Sequence, residues 1–490
     1  MSVYKHGTYG EFVASIGRVA AQGGTVPVYV GIAPVNLVRG FANSVNTPVK
    51  LASIDAAKRV MGYSDNWGTF DLCEAFKIHF DNAAGNVGPI VAINILDPAV
   101  HKKSSATTQS ISFVNGRASF ESDTIILDTL VLADKVEGTD FSIDYDFTKG
   151  QVIIENIGDT VITGNINATY SEIDISAIDA DAVIGGVTAA GVYTGLGCVE
   201  LVYQELNIIP NLLLCPKWSG NKSVYEAMVK AATKINGHWN AMVYADIPVL
   251  DGSTKVDTID AAIEWKKNNA YTYERSKVFW PMGKGADGNV YHAAVVAAWR
   301  TMLVDNEHSG VPMESPSNKS VPVVAQYFGE GSTNRGFDQQ KGNILNADGI
   351  STVVYWGGRW VLWGPHTAAY KFGAVADNRS IFDVSIRMMI HVANSFQSEH
   401  ALVIDSPMTR AQADTIKNRE QEKLDALAAM GAFVGEPVCE FKESENSTDE
   451  LVEGNFTWST RGTPAPPFKS GTLNVAYTTE GFESYFGEVQ

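Results

Sequence analysis

Leu206-Asn-Ile-Ile-Pro-Asn-Leu-Leu-Leu-Cys215 is a nearly unbroken apolar run, the pattern of a parallel strand covered on both faces. The segments downstream of this run decide the fold. Ser223-Val-Tyr-Glu226 has capping-box spacing and predicts a helix with Tyr225, Met228, Val229 and Ala232 along one stripe. Residues 240–249 predict the next strand and 256–267 the next helix. Lys277-Val-Phe-Trp-Pro281 predicts a strand and residues 290–304 a helix. This β-α-β-α succession predicts an α/β core built on a doubly wound parallel sheet.

The pattern begins earlier in the chain. Val26-Pro-Val-Tyr-Val-Gly-Ile32 predicts a buried strand, and Gly88-Pro-Ile-Val-Ala-Ile-Asn-Ile-Leu96 a second. Between them, residues 53–60 and 69–80 predict helices, the second with Phe70, Cys73, Phe76 and Phe80 at helical spacing. Residues 101–185 change character. Thr124-Ile-Ile-Leu-Asp-Thr-Leu-Val-Leu132 and Phe141-Ser-Ile-Asp-Tyr-Asp-Phe147 have the short alternating pattern of an all-β module, inserted into the larger α/β region. Downstream, Ser351 to Trp363 predicts a hairpin around Gly357-Gly358, followed by helices near 379–396 and 409–430. Thr463-Pro-Ala-Pro-Pro467 is a stiff spacer. The expected organisation is an arm (1–25), a first α/β part (26–100), the inserted acidic β domain (101–185), the main α/β domain (186–370), a carboxyl-terminal domain (371–470) and a terminal strand and arm (471–490).

Composition excludes several classes. The chain has 490 residues, 45% hydrophobic, with a net charge of -18. That is ample apolar material for large cores. Acidic excess is concentrated in residues 101–185, with 5 basic and 14 acidic groups, and in 371–490, with 10 and 18. Phosphate contact requires clustered Lys and Arg, so no nucleic-acid partner is expected. Neither a membrane span nor a secretory signal is visible, so no membrane insertion is expected. Cys73, Cys198, Cys215 and Cys439 are far apart and form no Cys-x-x-Cys, so buried reduced thiols are expected.

The search for catalysis yields little. Gly283-Lys-Gly-Ala-Asp-Gly288 lies between a strand and a helix, as a dinucleotide loop would, and Asp305 is nearly at ribose-carboxylate distance. The competing reading is a glycine turn with Asn289 capping the helix. There is no P-loop and no Gly-x-Ser-x-Gly elbow. His6-Gly7-Thr8 resembles a protease histidine motif but precedes every strand that could hold it. The nine histidines form no zinc pattern. No cofactor, metal or catalytic residue is therefore expected. Trp356, Trp360 and Trp363 suit either a sugar-stacking platform or a hairpin buried on a helix. Arg410 and Lys417 share a helix face, with Arg419 and Lys423 nearby, read either as solvated with intrahelical partners Asp414 and Glu420 or as docking to an acidic partner. Leu473, Val475 and Tyr477 alternate as a strand, and Phe482, Tyr485, Phe486 and Val489 form an aromatic tail. Both ends are too extended to pack locally, and a strand donated to another chain would satisfy their backbone groups.

Several stretches, in order, resemble the sheath proteins of contractile phage tails and phage-tail-like bacteriocins. Val28-Tyr-Val-Gly-Ile-Ala33 and Asn46-Thr-Pro-Val-Lys-Leu51 are similar to the family's opening strands. Residues 76–80 and 89–95 are similar to its helix and following strand. Ala293-Ala-Val-Val-Ala-Ala-Trp-Arg300 with 312–319 resembles its helix and Pro-x-Asn loop. Leu345-Asn-Ala-Asp-Gly-Ile350 and Trp363-Gly-Pro-His-Thr367 resemble the segment ending in Trp-Gly-x-x-Thr, and Gly431-Ala-Phe-Val-Gly435 the close of its late helix. Asn378-Arg-Ser-Ile381 departs from the family's paired arginines. The resemblance implies a nonenzymatic subunit with a subtilisin-like core that lacks the triad. It implies hexameric rings stacked around an inner tail tube, joined by terminal β-arms, with baseplate and tail-terminator partners. It further implies assembly in the bacterial cytoplasm, a place in a virion tail or released particle, and contraction that drives the tube through a bacterial envelope. The basic helix residues would then face the tube. The rival readings are a nucleotide-binding α/β enzyme using the 283–288 loop and a carbohydrate-binding β protein.

Overall fold

The computed structural model describes residues 24–332, 334–374, 377–485 and 487. His6, most of the expected amino-terminal arm, Phe486 and Val489 lie outside the described residues.

The chain has a mixed α/β fold with several sheets. The largest has eight strands: β1 (Pro27–Gly31), β2 (Pro48–Leu51), β3 (Ile90–Asn94), β4 (Leu212–Leu214), β5 (Met242–Asp246), β6 (Ser276–Phe279), β7 (Ile350–Trp356) and β8 (Arg359–Trp363). Their order is β2-β3-β1-β4-β5-β6-β7-β8. The six strands from β3 to β7 run parallel, and β2 and β8 close the sheet antiparallel. β1, β3 and β5 are buried at every position, as expected of parallel strands covered on both faces.

The decisive run is shorter as a strand than its apolarity suggests. Leu201–Leu206 is helical and ends on Asn207 in the left-handed conformation, leaving only Leu212–Leu214 in the sheet. Ile209 and Pro210 are buried although they lie outside the strand, so apolarity alone does not mark where the strand begins. The helix at Lys222–Ala231 is also capped differently from expectation. Asn221, not Ser223, accepts from the Ser223 and Val224 N–H groups, and Glu226 faces Lys222 at 4.0 Å. The Ile54–Met61 and Ile259–Asn268 helices are capped by Ser53 and Thr258.

The strands between residues 107 and 170 form two three-stranded antiparallel sheets. They enclose a hydrophobic cluster of their own that includes Phe113, Phe141, Val152, Ile154 and Tyr170. Leu37 joins that cluster from the main body, and the Asn36 amide donates to the Asp123 and Ile125 carbonyls.

β7 and β8 form the expected hairpin, with Trp356 opposite Arg359 and Gly357 and Gly358 at φ 59° and 79°. Those angles fit the mirror-image turn that matches strand twist. The outer rim of β8 is already paired. Asn318 N–H donates to the Leu362 carbonyl at 2.6 Å, Leu362 N–H to Lys319 at 3.1 Å, and Val321 N–H to Trp360 at 3.0 Å.

The carboxyl-terminal part contains helices Asp383–His400 and Arg410–Ala429 and a two-stranded sheet, Phe433–Glu440 with Ser459–Pro464. The Gln421 side chain caps the free side of the first strand, accepting from Cys439 N–H and donating to the Pro437 carbonyl, each at 2.9 Å. No third strand joins this sheet from the described residues. Residues 465–478 form neither helix nor strand.

Candidate functional site

The glycine loop does not make a phosphate cradle. Met282–Gly285 is a strand in a separate three-stranded sheet, paired with Val290–Tyr291 and Val323–Tyr327. Asp287 fills the turn, accepting from Asn289 N–H at 3.1 Å and the Tyr291 hydroxyl at 2.7 Å. The next helix starts only at Ala293, with His292 rather than Asn289 at its cap. Carboxylates occupy that helix start: Glu74 accepts from His292 N–H, and Asp246 accepts from Ala294 N–H at 2.9 Å. An anionic ligand would meet negative charge where a dinucleotide site presents bare N–H groups.

Asp305 is likewise engaged elsewhere. It is fully buried and pairs with Arg387, and both contact the Thr25 hydroxyl. Lys277 and Asp383 make a second buried pair nearby. These groups tie the root of the amino-terminal segment to the Ala293–Glu307 and Asp383–His400 helices. Sequence reasoning missed the cluster because its bonded partners lie 82 to 362 residues apart. The four cysteines are all buried and free, and burial pushes the Cys73 and Cys215 thiols up. Among the described residues, no group of three or more His, Cys, Asp or Glu side chains could hold a metal ion, and no helix is long and apolar enough to cross a membrane.

The tryptophans do not share one platform. Strand alternation places Trp356 and Trp363 on one face of the hairpin and Trp360 with Tyr355 on the other. The Trp363 indole donates to Asn343 at 2.8 Å.

The four basic residues of the Arg410–Ala429 helix have different environments. Arg410 pairs with Asp414 at 3.0 Å and lies over the Phe441 ring. Lys423 sits 3.0 Å from Glu399 and 2.7 Å from Glu420, so its charge is compensated. Glu420 also binds His400 at 2.7 Å. Arg419 is exposed and Lys417 half-buried, and neither forms an ion pair among the described residues.

The tail residues are among the most exposed apolar groups described. Leu473, Val475 and Tyr477 are 85%, 84% and 82% exposed, with no partner strand among the described residues. Phe482 and Tyr485 lie in a short 3₁₀ turn, Glu480–Tyr485, instead of the expected strand.

No family model matches the chain. It is 25% identical to the tail sheath protein of Burkholderia phage BcepMu, over 96% of this chain and 98% of that protein. It is 26% identical to the putative prophage major tail sheath protein of Pseudomonas aeruginosa strain UCBPP-PA14, over 61% of this chain and 73% of that one. In fold it is similar to a chain of the anti-feeding prophage baseplate, with a TM-score of 0.56, 12% identity, and coverage of 98% and 100%. It is also similar to a chain of an extracellular contractile injection system, the PVC sheath complex in the contracted state, with a TM-score of 0.52, 10% identity and the same coverage. In sequence the chain is thus similar to tail sheath proteins of phages and prophages, and in fold to chains of contractile injection systems.

Proposed function

We propose that this chain polymerises as hexameric rings stacked around an inner tail tube, linked by its terminal segments, and that contraction of the stack drives the tube through a bacterial envelope. The body would be a subtilisin-like, doubly wound core without a triad, carrying residues 101–185 as an inserted domain. The observation that supports this reading is the tail. Three alternating apolar side chains are held in water with no partner strand, and the Ser459–Pro464 strand has no second partner strand among the described residues. Pairing there would bury both. About six ladder hydrogen bonds at ~0.5–1.5 kcal/mol each would give roughly 3–9 kcal/mol per donated strand. Leu473, Val475 and Tyr477 carry the pairing, and the arm at residues 2–20 adds a second link. Phe482, Tyr485, Phe486 and Val489 extend the contact. On this reading, assembly occurs in the bacterial cytoplasm, the product is a virion tail or phage-tail-like particle, and a baseplate and terminator cap the stack. Arg410, Lys417, Arg419 and Lys423 line the tube side, with Lys417 and Arg419 the most available.

Deleting residues 471–490, which removes Leu473, Val475 and Tyr477, tests the reading. Folded chains that form no tubes by electron microscopy are expected. Normal tubes from the shortened chain would overturn it.

A further inference from the structure

An open cleft of about 970 Å³ lies beside the β7–β8 hairpin, lined by Lys319, Arg359, Trp363, Tyr370, Phe372 and Lys469 among others. It is at the upper end of the roughly 300–1,000 Å³ range of pockets that enclose ligands. Its charge is unbalanced. Lys319 and His308 share Glu314, but Arg359 and Lys469 meet no carboxylate among the described residues. Lys469 stands 5.8 Å from the centre of the Tyr370 ring, which stacks on His366. Phe372, at the lip, is 73% exposed. The cleft therefore offers aromatic surface with two uncompensated cations.

The end of this same sequence has the complementary character. After Lys469 there is no Lys or Arg, while Glu480, Glu483 and Glu488 alternate with Phe482, Tyr485 and Phe486. The 3₁₀ turn at Glu480–Tyr485 gives this composition a shape. Residues three apart eclipse in such a turn, so Phe482 and Tyr485 fall on one ridge, with ring centres 5.8 Å apart, and Glu480 and Glu483 on another. In the single chain this turn is not seated in the cleft. Residues 465–470 form one of its walls, and Phe482 and Tyr485 stay 52% and 74% exposed.

We infer that the cleft receives the acidic, aromatic turn of a second copy of this chain, the two rings entering against Trp363 and Tyr370 and the carboxylates meeting Arg359 and Lys469. This rests on the sheath reading and gives it a receptor surface distinct from strand pairing.

Surface cysteines test it, because all four native thiols are buried. Copies carrying Arg359→Cys are mixed with full-length copies carrying Ser484→Cys, assembled and oxidised. A covalent dimer formed in the mixture, and absent from either variant alone, is expected. Arg359→Glu with Lys469→Glu should abolish assembly through this contact, and Glu480→Lys with Glu483→Lys should restore it. Ordered tubes with no cross-link overturn the cleft assignment and leave the sheath reading standing. Cross-linked dimers without tubes do the reverse. A cross-link within one diluted chain carrying both cysteines shows that the cleft takes its own tail and overturns the inference.

Discussion

Arg387 and Asp305 illustrate what single residues contribute. Each is buried, each neutralises the other, and Thr25 completes the set. Removing one partner strands the other charge in the interior, which costs about 3–5 kcal/mol. Arg387→Ala should lower the unfolding free energy from urea titration by that much, and Asp305→Ala with Arg387→Met should recover part of the loss. A loss below about 1 kcal/mol in the single variant would show that the pair is solvated. Titration gives a second prediction. Burial pushes Asp71 up to about 7 and Asp246 up to about 6, against the Ile32 and Ala294 N–H groups and the Trp218 indole that oppose it. A carboxyl raised on folding stabilises the fold when protonated, and that contribution is lost as pH rises through 6 to 7. His292 adds an alkaline part. Burial lowers it, but Glu74, with Asp246 and Asp71 behind, overrides burial and holds it at about 9. Its stabilisation is complete below the unfolded value of about 6.5 and lost as pH rises through 9. The melting temperature should therefore fall from pH 6 to pH 9, and His292→Gln should flatten the portion above pH 7. An unchanged slope there contradicts the assignment.

Elements were legible in the sequence where one local signal dominated. The helix expected near 409–430 is observed at Arg410–Ala429, and its first turn is fixed by Thr409, which caps it reciprocally with Gln412. Replacing Thr409 with Ala should cost about 1 kcal/mol, read as a lower denaturation midpoint. A neutral substitution would mean that packing alone fixes that end. The paired glycines at 357 and 358 announce the hairpin because few other residues take both positive φ angles. The sequence was less clear where two structures share one pattern. Ser223 and Asn221 are both good caps, and chain geometry chose Asn221. Gly283 to Gly288 has the glycine spacing of a ligand loop, yet Asp287 and pairing with the distant Val323–Tyr327 strand turn it into part of a sheet. Non-local partners such as Gln421 with Cys439, or Asn318 with Leu362, leave no periodic trace.

At the scale of the molecule, order along the chain carried more than any motif. The sheath likeness was readable from the succession of short stretches, while the buried charge cluster and the cleft were not, since both are assembled from distant segments. Lys417 and Arg419, which form no ion pair among the described residues, give the last prediction. Lys417→Glu with Arg419→Glu should leave the fold and melting temperature unchanged and weaken attachment to an acidic tube in cosedimentation. Attachment that is equal to wild type at low and high salt would remove this face from the tube side.

Residues 318–321 already occupy the rim of the large sheet at Arg359–Trp363, so crowded subunits find no bare backbone there to zip along. Runaway fibre growth through the bodies is closed on that side. Under the proposed function, that closure would let a stockpile accumulate without gelling and leave joining to the terminal segments.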